Sequence, residues 1–185
     1  MEFLNLFIKW QKKKYSQAQK LLFSITIVPT FFFVVIPVFA SWLSGKIDKA
    51  LVLPSILASP LNFYIGVIFF IFGLFLFGWT VLVFYQVGRG TPSPIIPTQK
   101  LVIDGPYAYC RNPMYLGVVV WIYGLGVILN SISFIFAGFI IPSLYLIYVK
   151  LVEEKELEKR FGKKYLEYKK KVPFLIPTFR KIDKS

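Results

Sequence analysis

Long stretches without a single charged side chain decide what this chain can fold into. Residues 21–43 carry no charge and residues 61–85 carry none. Residues 114–149 also carry none, over a length sufficient to cross a bilayer twice, with Asn130 and Ser131 at the midpoint as the turn. A hydrocarbon core about 30 Å thick takes roughly 20 apolar residues per helix, and backbone groups in lipid are satisfied only within helices or closed barrels. The expected fold is an all-α integral membrane protein, one membrane domain over 1–185. About four transmembrane helices are expected, at 21–43, 61–85, 114–129 and 132–150, with a loop at 86–113 and a tail at 151–185. The first run lacks the short apolar core and small-residue cleavage site of a signal peptide and is read as retained. Pro29 and Pro37 are expected to kink it, and residues 50–60, with Pro54 and Pro60, to form a short outer loop. In the second run Gly66 and Gly73 are seven apart, so they share a face and allow close helix approach.

The net charge of +13 invites a nucleic-acid partner, but its distribution argues otherwise. Residues 1–20 hold five Lys against one Glu, and the tail from Lys150 holds twelve basic against six acidic residues. The 86–113 segment adds Arg89, Lys100 and Arg111 against Asp104. With four crossings all three segments fall on one side, which the positive-inside rule makes cytoplasmic. The expectation is therefore cytoplasmic termini, a membrane partner and no nucleic acid. Residues 1–20, with Phe3, Leu4, Phe7, Ile8 and Trp10 ahead of three consecutive lysines, read either as an interfacial helix or as a basic flank. One cysteine, Cys110, leaves no disulfide and no multi-cysteine metal site, and the absence of histidine removes imidazole acid–base chemistry and histidine-bound metals. No metal is expected.

Two polar blocks are pressed against the apolar runs. The first, GTPSPIIPTQKLVIDGPYAYCRNPMYLG, has prolines at 92, 94, 97 and 106 that exclude a continuous helix. Its apolar Ile95, Ile96 and 101–103 suggest that it folds back. It ends in Asn112 and Pro113, a helix start with Asn suited to the cap and Pro to the first position. Singly, Tyr107, Tyr109 and Tyr115 read as interfacial aromatics and Arg111 as a snorkelling anchor. The second block starts with Glu153 and Glu154 and runs through RFGKKYLEYKKKVP. Glu156 and Arg160 form an i, i+4 pair. Leu157, Phe161, Tyr165 and Tyr168 make a stripe at helical spacing that reads as packing or membrane contact. Gly162 is placed to break this segment in two.

Taken in order, the two blocks resemble the isoprenylcysteine carboxyl methyltransferase and phospholipid methyltransferase superfamily, particularly its short prokaryotic branch, over residues 88–178. The resemblance implies S-adenosylmethionine in a cytoplasm-facing pocket that the helical tail completes. It implies cofactor contacts from Tyr107, Ala108, Tyr109, Cys110, Asn112 and Tyr115, extending to the 120–123 turn, and a functional role for Glu154. On that footing Arg111 is expected to pair with the methionine carboxylate, and Glu154 to hold the cofactor's ammonium or accept a proton. The isoprenylcysteine enzymes have His where this chain has Asn112, and Arg where it has Val149. The substrate-defining features therefore match less well than the cofactor-binding ones.

The implied reaction is S-adenosylmethionine-dependent methyl transfer to a lipid or other membrane-soluble amine, thiol or carboxylate. Such an in-line displacement depends on alignment and exclusion of water more than on strong acid–base groups. Two further readings stand beside it. One is a membrane NADPH-dependent reductase of the sterol-reductase kind, and the other is a non-catalytic lipid-binding scaffold.

Overall fold

The computed structural model describes residues 30–89 and 98–178. The expectations for residues 1–20, for Pro29 and for the prolines at 92, 94 and 97 lie outside these. Among the described residues the chain is helical, with no strand. A π-helical turn at Phe31–Val35 leads into α1 (Ile36–Ala50), and α2 (Leu61–Val83) runs into a second π-turn at Phe84–Gly88. A short 3₁₀ turn at Gly105–Ala108 precedes α3 (Pro113–Ile128), which is followed by α4 (Ile132–Tyr148). A third π-turn, Val149–Glu153, joins α4 to α5 (Glu154–Phe161), and α6 (Lys163–Lys171) follows as the last helix among the described residues.

Among the described residues, three continuous helical stretches are long and apolar enough to cross a membrane: Phe31–Ala50, Leu61–Gly88 and Ile132–Phe161. The helix α3 is apolar but has 16 residues, about 24 Å at 1.5 Å per residue. Large apolar side chains such as Phe72, Phe75 and Leu82 of α2, and Phe136, Phe139 and Leu144 of α4, point outward and exposed. A face this apolar requires a membrane or a partner to cover it.

The first helix does not end near residue 43 as its uncharged run predicts. It continues through Lys46, Asp48 and Lys49 to Ala50, because charges there find partners at the helix end. Lys46 lies 3.8 Å from the Trp42 ring centroid. Asp48 accepts hydrogen bonds from the Ser131 hydroxyl and from Ser133 N (3.0 Å), adding a negative group at the N-terminus of α4, where the helix dipole favours one. Pro37 lies inside the continuous Phe31–Ala50 stretch, just after the π-turn Phe31–Val35, where its missing N–H interrupts the helical ladder. The kink expected there coincides with that change from π- to α-helical winding. Pro142, inside α4, was not singled out from the sequence.

α2 and α3 form the tightest pair. A Cβ built on Gly73 would lie 2.3 Å from Trp121 N, and one on Gly124 would lie 2.3 Å from Phe70 N. Gly66 meets Gly124 O and Ile128 in the same way. Gly66 and Gly73 therefore do share a packing face, and Gly117 and Gly124 supply its other half. At the opposite end from the tail, Asn130 ties the α3–α4 turn to the 51–60 loop. Its Oδ1 accepts from Ile56 N (2.7 Å) and Leu57 N (3.1 Å), and its Nδ2 donates to Leu57 O (2.9 Å).

Candidate functional site

The 105–112 segment and the C-terminal tail, far apart in sequence, interlock at one end of the helix bundle. The backbone of Arg111 donates to Pro173 O (2.9 Å), and Thr178 N donates to Tyr109 O (3.0 Å). The Tyr168 hydroxyl donates to Tyr107 O (2.7 Å). Asn112 sits at the cap position of α3 but makes no side-chain cap bond. Its Nδ2 reaches instead to Phe174 O (2.9 Å), so it fastens the tail rather than the helix. Arg160 donates to Thr98 O and pairs with Glu156 at 3.4 Å. The expected i, i+4 pair is thus present, and exposed enough to add little stability by itself.

The fold-back expected for 101–103 is realised from two sides. Val102 packs with Val83 and Tyr107. Leu101 packs against Tyr165, Tyr168 and Val172, with Leu157 and Phe161 beside them. The tail stripe is therefore packing. It forms because Gly162, at φ 54° and ψ −129°, takes a backbone conformation essentially reserved for glycine and separates α5 from α6.

At the centre of the interlock stands Glu154, 4% exposed. Arg111 donates to its Oε1, and Lys169 lies 2.8 Å from its Oε2. Lys169 also meets Glu158 at 2.7 Å, and these carboxylate bonds hold its ammonium pKa above the ordinary lysine value. A buried carboxylate with a cation on each oxygen avoids the cost of an unpaired charge. Glu153, its sequence neighbour, points elsewhere and accepts a hydrogen bond from the Tyr145 hydroxyl (2.9 Å).

The structure brings Arg111 and Glu154 together as each other's partners and adds Lys169, which sequence reasoning did not single out. Nothing local marks Lys169, since it reaches Glu154 only when α6 folds back past Gly162. Arg111 does not snorkel: its side chain is 11% exposed, with the guanidinium 5.5 Å from the Phe174 ring centroid. Tyr107, Ala108 and Cys110 are buried, whereas Tyr109 and Asn112 are half-buried. Burial pushes the Cys110 thiol up to about 11 and raises the Tyr107 phenol well above its ordinary value. Tyr107 stacks edge-on against Phe84 at 5.0 Å. Its hydroxyl is buried and makes no well-formed hydrogen bond; the neighbouring polar side chain is Thr80, whose own proton goes to Phe77 O (2.6 Å). Arg111 Nε and Trp121 Nε1 are likewise buried without partners. Tyr115 lies apart from this cluster, stacked on Tyr145 of α4. Of the 120–123 turn, Trp121 is buried against Phe33 and Phe70. Among the described residues no group of His, Cys, Asp and Glu is arranged to hold a metal.

Comparison with known proteins gives this arrangement a context. Residues 61–164 match the phospholipid methyltransferase family. The protein-S-isoprenylcysteine O-methyltransferase of Schizosaccharomyces pombe is 37% identical over 78 residues, covering 42% of this chain and 33% of that protein. The Mus musculus protein of the same name is 35% identical over 86 residues, 45% of this chain and 29% of its own. Methanethiol S-methyltransferase 1 of Bradyrhizobium diazoefficiens is 30% identical over 107 residues, 58% of this chain and 35% of its own. The chain thus spans about a third of the length of these curated relatives. In fold it is similar to a eukaryotic intramembrane Ras methyltransferase, an isoprenylcysteine carboxyl methyltransferase, with a TM-score of 0.63 at 24% identity. That match covers 95% of this chain and 61% of the other. Because the family match runs from the first residue of α2 into α6, over more than half of the sequence, this chain belongs to the phospholipid methyltransferase family.

Proposed function

We propose that this protein transfers a methyl group from S-adenosylmethionine to a lipid or other membrane-soluble nucleophile, at a pocket on its cytoplasmic side. The observation that carries the reading is the joining of the two family blocks around the Arg111–Glu154–Lys169 cluster, at the end of a bundle whose apolar helices suit a bilayer. With four crossings, α3 being the short one, the tail and the 105–112 segment share one side, and the basic excess of the tail supports the cytoplasm as that side.

The residues present fit the cofactor. Arg111 Nε and the Tyr107 hydroxyl are buried polar atoms without partners, a donor suited to a carboxylate and a phenol suited to polar adenosyl groups. Because Glu154 has a cation on each oxygen, its role is to hold Arg111 and Lys169 in place rather than to remove a proton. Arg111 then binds the methionine carboxylate through Nε. Tyr107, Tyr109 and the 108–110 backbone line the adenosyl side, Asn112 keeps the tail closed over it, and Tyr115 stands toward the acceptor. The bound cofactor supplies an electrophilic methyl on a sulfonium. The chain's part is to align it and exclude water.

Calorimetry on detergent-purified protein tests this with S-adenosylmethionine, S-adenosylhomocysteine and NADPH, using wild type, Arg111→Ala and Glu154→Gln. Both adenosyl ligands are expected to bind wild type. Each variant is expected to weaken them at least tenfold while keeping a native circular dichroism spectrum. Wild-type affinity in Arg111→Ala would remove its assigned role. Binding of NADPH alone would point to a reductase, and binding of none of the three by folded protein to a scaffold.

A further inference from the structure

The helical stretch Ile132–Phe161 has 30 residues, about 45 Å of helix at 1.5 Å per residue. A hydrocarbon core about 30 Å thick takes up roughly the first 20 of them, so α5, its last part, emerges at the level of the lipid headgroups. α6 does not carry the chain further out. Its Lys169 meets Glu154 at 2.8 Å and Glu158 at 2.7 Å. Beyond Gly162 the chain therefore turns back antiparallel to α5, and the end of α6 returns to the depth of Glu154. The two helices make a hairpin that stands at the bilayer surface and covers the 105–112 segment, through Tyr168 on Tyr107 and Pro173 on Arg111.

Acids and bases are sorted within this hairpin. Glu154 and Glu158 turn inward to Arg111 and Lys169, and Glu156 pairs with Arg160. Leu157 and Phe161 of α5 pack with Tyr165, Tyr168 and Val172 on the same inner side. Other lysines point away from it. Lys155 and Lys159 stand one turn apart on α5. Lys163, Lys164 and Lys170, at i, i+1 and i+7, share the face of α6 turned away from its two tyrosines. All five are exposed, and none makes an ion pair among the described residues. Glu167 is the one acid on that α6 face. Beside the lysines, Leu166 is 45% and Ile176 80% exposed. Basic side chains interleaved with outward apolar ones, held at headgroup depth, are complementary to an anionic lipid surface. A soluble acidic partner would answer the charge but neither the depth nor the apolar side chains.

We propose that the outward lysine surface of the α5–α6 hairpin docks on the anionic phospholipid headgroups of the surrounding bilayer, and that this docking holds the hairpin closed over the 105–112 segment. Each helix then has two charged sides with separate tasks. The inner side ties α6 to α5 and to Arg111 through Glu154, Glu158 and Lys169. The outer side ties the hairpin to the membrane. The two act together because α6 is short, nine residues long, and follows a glycine with open space around it. A lipid bound to the Lys170 end restrains the same helix that carries Tyr168 and Lys169. Since the docking charges are exposed, salt screens them, whereas the buried Glu154 pairs are screened much less.

The test places the full chain in lipid nanodiscs of phosphatidylcholine, or of phosphatidylcholine with one lipid in three replaced by phosphatidylglycerol. Amide hydrogen exchange is read by mass spectrometry over residues 155–171, with Leu61–Val83 as the internal reference; no cofactor is needed. Exchange over the hairpin is expected to slow at least threefold in the anionic discs, with the reference unchanged. Half-molar sodium chloride is expected to cancel the slowing. So is replacement of Lys155, Lys159, Lys163, Lys164 and Lys170 together by Gln, whereas replacement of the same five by Arg is expected to keep it. Equal exchange in the two kinds of disc overturns the proposal, as does slowing that survives the Gln replacements. Slowing that survives salt overturns it too, and that arm needs no variant to fold. Inorganic phosphate and soluble polyglutamate are added in turn to the phosphatidylcholine discs. If either slows exchange as much as phosphatidylglycerol does, the surface serves a free anion or an acidic protein and the lipid assignment falls.

Discussion

Among single residues, position in the interlock decides chemistry more than residue type does. Cys110 shows this most directly. It stands between two half-buried residues in a turn-rich segment, yet it is 1% exposed and its thiol is pushed up to about 11 by burial. The neutral thiol is thus favoured in the folded state, so the associated stability is full below the ordinary value of 9.0 and is lost as pH rises from there toward 11. Because the thiolate is the reactive species, maleimide at pH 8 is expected to leave Cys110 unmodified in folded protein and to modify it completely in denaturant, as read by intact mass. Rapid labelling of the folded chain would show that the segment opens. Glu153 and Glu154 make the same point as a pair. They are adjacent in sequence but are turned by the π-turn into different surroundings, one toward Tyr145 and one toward two cations.

Between elements, the α2–α3 contact is the one that tolerates least. Backbone atoms of each helix occupy the space where a side chain on the other's glycines would begin. Gly73→Ala and Gly124→Ala are therefore expected to separate the helices and destabilise the protein by about 1–3 kcal/mol each, the usual range for overpacking. A Cβ added to Gly78 would meet nothing within 4 Å, so Gly78→Ala is expected to be neutral or slightly stabilising through helix propensity. Thermal unfolding in detergent, followed by tryptophan fluorescence, compares the three. Equal loss at Gly73 and Gly78 would contradict the close packing. The sequence marked Gly66 and Gly73 by their spacing. Their counterparts on α3 needed the helix pairing to be known, because a lone Gly124 fits lipid exposure equally well.

For the molecule as a whole, the number of crossings rests on α3. If this 16-residue helix crosses with α2 and α4, Val52 and Lys164 stand on opposite sides of the membrane. If it does not, they stand on the same side. Both residues are exposed, and the only native cysteine is buried, so Val52→Cys and Lys164→Cys give clean labelling sites. A membrane-impermeant maleimide is expected to label Val52→Cys in intact cells and Lys164→Cys only in inverted membrane vesicles. Labelling of both from one side would reduce the count to an even number between them and would require the site's orientation to be redrawn.

The order of residues alone was enough for the all-helical class, the apolar helices and the succession of the two polar blocks. Uncharged runs of bilayer length admit few alternatives, and Pro113 and Gly162 punctuate helices through backbone chemistry that acts locally. Arg111 and Glu154 also stood out as residues of interest. Which charges meet, by contrast, is fixed by the fold. The pairing of Arg111 with Glu154 spans 43 residues. The contacts of Asn112 with Phe174 and of Asp48 with Ser131 span 62 and 83 residues. Such contacts leave no periodic trace in the chain, because either partner alone reads as an ordinary boundary charge or cap. The end of α1 at Ala50, the role of Lys169 and the separate fates of Glu153 and Glu154 follow from those contacts. Burying a charge is costly unless a specific partner meets it, and that partner is supplied by the fold.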